Sequence, residues 1–214
     1  MEVRKEFVNN YDAVVGKFCR PYKEFFRVGA GAIPVDVESV CDLGIGSGNF
    51  SVEVVKRIPG VEVYGIDLNG KALENAKVKI PDAILYEREF FDGALPKTDY
   101  VISSLATHHF SDDERLARFE QIVRNGKGFV NFDMFLMNGN SLNDSIDSIL
   151  DQVRTFSSDE KILGDVAHEI RENDNMASLR EQRELFERIG MKFDVLATDA
   201  PWAVYHVYWP SRKS

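Results

Sequence analysis

The sequence predicts an α/β fold: a doubly wound, mostly parallel sheet of seven strands with helices on both faces. Two observations predict it. From Val40 to Asp133, short apolar runs alternate with stretches of helical periodicity. The first of these units turns on three glycines, in the run Val40-Cys41-Asp42-Leu43-Gly44-Ile45-Gly46-Ser47-Gly48-Asn49-Phe50. Strand–turn–helix units in series build parallel sheets, because the helix returns the chain to start the next strand beside the last.

The chain of 214 residues fits one domain, and its 44% apolar content is ample for a packed core. The net charge of −9 argues against a broad nucleic-acid footprint, which needs a basic face. No apolar run approaches a membrane span, and the first residues hold no signal-peptide core, so a cytoplasmic location is expected. Cys19 and Cys41 stand far apart, without metal or redox spacing, and read as core thiols.

In chain order, Phe7, Tyr11, Val14, Val15 and Phe18 share one face of an expected helix over residues 3–19, which Pro21 ends. A second aromatic helix carries Tyr22, Phe25 and Phe26. Val35, Val37, Val40 and Leu43 supply strand one. After the glycines, Phe50, Val54, Val55 and Ile58 mark a helix that Pro59-Gly60 stops. Strand two runs from Val61 to Asp67. An acid at the end of a second strand can accept both ribose hydroxyls of an adenosine. Leu68 would follow against the base. Asn69-Gly70 turns the chain into a helix with Leu73, Ala76 and Ile80. Residues 83–86 form strand three and residues 99–104 strand four. Ser111 and Glu114 read as a capping box before the buried stripe Leu116, Phe119 and Val123. Residues 129–133 form strand five. Helices follow at 142–153, 162–170 and 179–189, then strands six and seven on either side of Asp199-Ala200-Pro201.

The glycine run is not a dinucleotide fingerprint, since Asn49 stands where G-x-G-x-x-G needs its last glycine, and no phosphate P-loop exists. Asp-x-Gly-x-Gly-x-Gly, with Asp42 leading, resembles motif I of the class I S-adenosylmethionine-dependent methyltransferases. An acid beside a glycine loop suits a cationic ligand and would repel a pyrophosphate. Asp67 and the segment Ser103-Ser104-Leu105-Ala106-Thr107-His108-His109-Phe110 after strand four resemble the same family in order and spacing.

The resemblance implies a Rossmann-like methyltransferase domain over residues 1–214. Its parts are an N-terminal helical cap (1–33), a cofactor-binding core (34–133), a helical insertion after strand five (134–177), and a last helix with a terminal antiparallel hairpin (178–214). It implies S-adenosyl-L-methionine as cofactor, bound by Tyr11, Asp42, Gly44, Gly46, Gly48, Asp67, Leu68, Glu89, Phe90, Ser104 and Leu105. Asp92 rivals Glu89 for the adenine amino group. His108 and His109 are the candidate catalytic residues, because histidine can take a proton near neutral pH. No metal is expected, since adjacent side chains point apart and no third ligand is set by spacing. The Asn-Pro-Pro-Tyr signature of nucleic-acid amino methyltransferases is absent after strand four, which with the acidic charge favours a small-molecule acceptor. The other readings are a cofactor-binding protein of this fold without turnover, and an NAD-dependent oxidoreductase.

Overall fold

The computed structural model describes Cys19 and residues 22–137, 141–155 and 157–210. The expected helix over residues 3–19, and Tyr11 with it, lie outside these. Seven strands form one sheet: β1 (Ser39–Leu43), β2 (Glu62–Asp67), β3 (Ile84–Glu87), β4 (Tyr100–Ser104), β5 (Gly128–Met134), β6 (Lys192–Asp199) and β7 (Trp202–Tyr208). Their spatial order is β3-β2-β1-β4-β5-β7-β6. β1 to β5 run parallel to one another. β7 is antiparallel to both β5 and β6 and sits between them. The order reverses between β1 and β4, which opens a crevice at the carboxyl ends of those strands.

Seven α-helices accompany the strands among the described residues: α1 (Tyr22–Ala32), α2 (Asn49–Arg57), α3 (Gly70–Lys79), α4 (Asp112–Asn125), α5 (Leu142–Arg154), α6 (Glu160–Asn173) and α7 (Leu179–Arg188). Strand side chains alternate between faces, so each strand feeds two cores. Val40, Val63, Ile102, Val130 and Phe132 face the side packed by α1, α2, α3, α5 and α6. Cys41, Leu43, Ile66, Val101 and Phe129 face the side packed by α4 and α7. Helix α1 lies close on α2 because Gly29 has no side chain: a Cβ there would stand 2.8 Å from Phe50 Cζ. No helix of the described residues is long and apolar enough to cross a membrane.

Three local expectations are corrected. Strand one starts at Ser39, and Val35 is exposed on the approach to it. The capping box at α4 does not form. The Ser111 hydroxyl donates to Glu114 Oε2 at 2.9 Å rather than accepting from the helix backbone. The buried face of α4 also includes a charged residue, Arg115, which periodicity in apolar residues could not reveal. The two cysteines are free and buried, and burial pushes both thiols up, Cys41 to about 12, so both are inert at neutral pH.

Candidate active site

The crevice begins with the glycine loop. Gly44, Gly46 and Gly48 all have positive φ, at 71°, 52° and 81°. Two of them are forced. A Cβ on Gly44 would stand 2.7 Å from Ala106 Cβ, and Gly48 leads α2 from a left-handed conformation at its N-cap. The loop is tied to the end of β2. The Gly44 and Ile45 amides donate to Ile66 O, at 2.9 and 3.2 Å. The Gly46 amide donates to Asp67 Oδ2 at 2.8 Å, and Asn69 N donates to Asp67 Oδ1 at 2.8 Å. Burial raises the Asp67 pKa, and these amides oppose the rise. An ionised carboxylate has about four acceptor positions, so Asp67 keeps capacity for further donors. Leu68, next to it, is 61% exposed at the crevice edge.

Asp42 lies beneath the loop, fully buried. Its Oδ2 accepts from the Ser51 hydroxyl at 2.6 Å, while Oδ1 has no hydrogen-bond partner among the described residues. Burial pushes its pKa up to about 7 against the Ser51 hydrogen bonds, and the charge of Asp67 adds to the rise. An orphaned, buried carboxylate oxygen is costly. It fits a ligand that brings a cationic donor.

The opposite wall comes from the turns after β3 and β4. Phe90 reaches over the loop: a Cβ on Gly44 would lie 3.3 Å from its ring. The Phe90 ring packs against Phe91 and Phe110 at 6.4 and 6.3 Å between centroids. Glu89 and Asp92 are both exposed on this turn. Arg88 organises the turn, donating to the carbonyls of Glu89, Phe90, Asp92 and Ala94. Ser104 ends β4 half-buried. Leu105, buried, has φ 52°, a left-handed conformation that costs a non-glycine residue about 1–2 kcal/mol. Its amide donates to Phe132 O at 2.8 Å, which helps to hold it there. Backbone strain kept beside a crevice is a mark of functional sites.

A 3₁₀ turn, Thr107–His109, carries the histidines. His108 is buried, and its Nδ1 lies 2.5 Å from Asp133 Oδ1 at the end of β5. The carboxylate can only accept, so Nδ1 carries the proton. Asp133 also accepts from Thr107 Oγ1 at 2.7 Å and from the amides of His108 and Met134. Asn131 braces this group, donating to Thr107 Oγ1 at 2.8 Å and to the Tyr205 hydroxyl at 3.1 Å. Burial pulls the His108 imidazolium down. The charge and hydrogen bond of Asp133, with the charge of Asp174, outweigh that and lift its pKa to about 8. Burial pushes Asp133 up, but the charge and hydrogen bond of His108, with hydrogen bonds from Thr107 and the Met134 amide, together outweigh it and hold the carboxyl below the usual range.

The His109 ring, about half exposed, stands 4.2 Å from that of His108 and turns its Nδ1 to Asp174 Oδ1 at 3.2 Å. Neighbouring side chains were expected to point apart. The tight 3₁₀ turn instead brings both rings to one carboxylate, with His108 Nε2 at 3.5 Å from the same oxygen.

The crevice thus gathers Asp42, the glycines, Asp67, Leu68, Phe90, Ser104 and Leu105 at the ends of β1, β2, β3 and β4. The histidines lie one strand further along, between β4 and β5. Sequence reasoning missed Ser51, Arg88, Asp133 and Asp174. Only Asp133, the acid closing strand five, carried a signal that could have found it.

Residues 40–127 match the model of the methyltransferase domain family. A search of curated proteins finds no match. Among solved structures, the chain is similar to human N-acetylserotonin methyltransferase in complex with SAM, at TM-score 0.61 and 18% identity. That match covers 87% of this chain and 52% of the other, so the chain spans about half the length of that enzyme. It is similar to the plantazolicin methyltransferase BpumL in complex with SAH and a monoazolic desmethylPZN analog, at TM-score 0.68 and 16% identity, over 96% and 90% of the two chains. It is likewise similar to DhpI bound to SAH, at TM-score 0.68 and 12% identity, over 99% and 95%. Residues 40–127 are thus similar to a methyltransferase domain, and the whole described chain takes the fold that these solved structures share.

Proposed function

We propose that this enzyme transfers a methyl group from S-adenosylmethionine to a small-molecule acceptor bound beside the histidine turn. The observation that carries the reading is the buried, unpartnered Oδ1 of Asp42 beneath the glycine loop, with Asp67 across the loop from it. Bound in this crevice, the cofactor supplies a methyl group made electrophilic by its sulfonium. Asp42 holds the ammonium of the amino-acid end, and the glycines let that end approach the backbone. Asp67 accepts the ribose hydroxyls. Leu68 and Phe90 enclose the adenine, with Glu89 or Asp92 on its amino group. Ser104 and Leu105 border the methionine arm.

His108 and His109 stand where the acceptor's nucleophilic atom must be held. His109, with the more exposed ring, is the one able to meet an incoming acceptor, and His108 is locked by Asp133. Alignment and water exclusion are the protein's main tasks here, because the methyl group is already activated. Helices α5 and α6, which follow β5, serve as cover for the acceptor. The formal charge of −9 disfavours a nucleic-acid acceptor.

The test is calorimetric titration of the purified protein with S-adenosylmethionine, S-adenosylhomocysteine and NAD in parallel. The expected result is saturable binding of both sulfur nucleotides and none of NAD. Binding of NAD alone would overturn the reading.

A further inference from the structure

His108 and His109 leave β4 on one turn, and Asp174 follows the end of α6. No sequence spacing links them, yet their donor atoms all lie within 4.8 Å of one another. The two separations from Asp174 Oδ1 are 3.5 Å to His108 Nε2 and 3.2 Å to His109 Nδ1. Zinc bonds to imidazole nitrogen and carboxylate oxygen at about 2.0–2.2 Å, which sets tetrahedral ligand atoms about 3.4 Å apart. An octahedral magnesium ion needs them nearer about 2.9 Å and prefers an all-oxygen set. Two imidazoles and one carboxylate are a donor set for zinc or its transition-metal neighbours.

The surroundings support the same reading. Metal-bound histidines typically give their other ring N–H to a carboxylate, which fixes the tautomer and aims the lone pair. Asp133 does this for His108 at 2.5 Å, leaving Nε2 turned toward Asp174. Asp133 is itself fixed by Thr107 and by two backbone amides. The third ligand is strapped in place through its neighbour. Asn175 N donates to His108 O at 2.6 Å, Asn175 Nδ2 reaches His109 O at 3.5 Å, and Arg115 donates to Asn175 O. His108 and Asp174 are nearly inaccessible while His109 is 51% exposed, so solvent reaches the cluster from one side. Three protein ligands with one open direction is the plan of a catalytic rather than a structural zinc site.

We infer that His108, His109 and Asp174 form a site for a divalent transition-metal ion, zinc being the best match, with its fourth position open to water or to an oxygen, nitrogen or sulfur atom of the acceptor. The carboxylates of Asp133 and Asp174 balance the charge of such an ion. With the ion in place, His109 is a ligand rather than a proton acceptor, and the open coordination position holds the acceptor. Binding of the ion needs no cofactor, while the acceptor's place on it rests on the proposed methyl transfer.

The test titrates untagged full-length protein, stripped with a chelator and dialysed, with zinc chloride by calorimetry. Cobalt(II) absorption then reads the geometry. One saturable zinc site and the intense visible bands of four-coordinate cobalt are expected. Asp174→Asn and His109→Ala each lower the affinity at least about 10-fold. His168→Ala, at an exposed position on α6, leaves it unchanged. Thermal unfolding in chelator checks that the variants fold. Absence of saturable binding, affinity unchanged in both ligand variants, or the weak bands of six-coordinate cobalt would each overturn the inference. Because S-adenosylmethionine binding is measured separately in chelator, failure of the metal site and failure of the methyltransferase reading are told apart.

Discussion

Two aspartates do opposite work within a few ångströms of one loop. Asp67 spends its oxygens on the Gly46 and Asn69 amides and retains room for hydroxyl donors. Its replacement by alanine removes the proposed acceptor for the ribose. At about 1.5–3 kcal/mol for a hydrogen bond to a charged group, Asp67→Ala is expected to weaken cofactor binding roughly 10- to 100-fold, read by calorimetry. Asp42 instead has one oxygen with no partner among the described residues, and burial pushes its pKa up to about 7. Its folded pKa lies above the unfolded value near 3.8, so the folded state holds a proton that the unfolded state has lost. Stability from this group is therefore greatest below about pH 4 and declines as pH rises toward 7, by up to about 4 kcal/mol. Asp67, also raised, acts in the same direction. Urea unfolding of the wild type and of Asp42→Asn at pH 5 and pH 8 is expected to show a smaller loss of stability in the variant. Conversely, cofactor affinity is expected to rise between pH 6 and 8, because only the ionised Asp42 pairs with an ammonium.

Elements here are set by their ends more than by their middles. The β1–α2 turn works because three alternate positions, Gly44, Gly46 and Gly48, take left-handed conformations, and the β4 turn meets it at Ala106. Gly44→Ala forces a Cβ to 2.7 Å from the Ala106 methyl at φ 71°. Backbone strain and overpacking of this kind cost about 1–3 kcal/mol. The variant is expected to unfold at lower urea and to lose cofactor binding beyond what its stability explains. Caps act more locally. The Asn69 side chain accepts from Lys71 N at 3.1 Å and Ala72 N at 3.2 Å to start α3. Asn69→Ala is expected to cost about 0.5–2 kcal/mol in chemical denaturation. Full capping boxes do form at Ser141–Asp144 and Ser178–Glu181. At Ser111 a sequence of the same pattern fails because its hydroxyl turns to the Glu114 carboxylate.

Across the whole molecule, the sheet separates two cores, and Phe132 anchors the larger one. Fully buried on β5, its ring meets Tyr22, Phe25 and Phe26 of α1 and Trp202 of β7, with centroids 5.4–6.4 Å apart. It therefore joins an N-terminal helix to the C-terminal hairpin. Phe132→Ala is expected to destabilise the domain by about 3–5 kcal/mol in urea unfolding. The same strand carries Asn131 and Asp133, so one element braces the core and positions the histidine turn. The sheet also arranges the chemistry in sequence across its carboxyl edge. On the proposed reading, the groups for ribose and adenine lie at β2 and β3, that for the amino-acid end at β1, and the acceptor side between β4 and β5.

The sheet, the glycine turn and Asp67 were legible in the sequence because each depends on local rules. Strand alternation, helical period, and glycine where φ must be positive can all be read within a dozen residues. The placement of the histidines after strand four was legible for the same reason. What surrounds them was not. Asp133 approaches His108 only because β5 pairs with β4 in a particular register, and Asp174 only because α6 ends above that turn. The burial of Arg115, the exposure of Val35 and the orphaned oxygen of Asp42 likewise follow from packing between distant segments. The sequence by itself determined the kind of fold and the glycine turn within it, since those are encoded by backbone preference. Tertiary structure decided the charge state and company of each acid and histidine, because desolvation and pairing depend on contacts that the chain order does not contain.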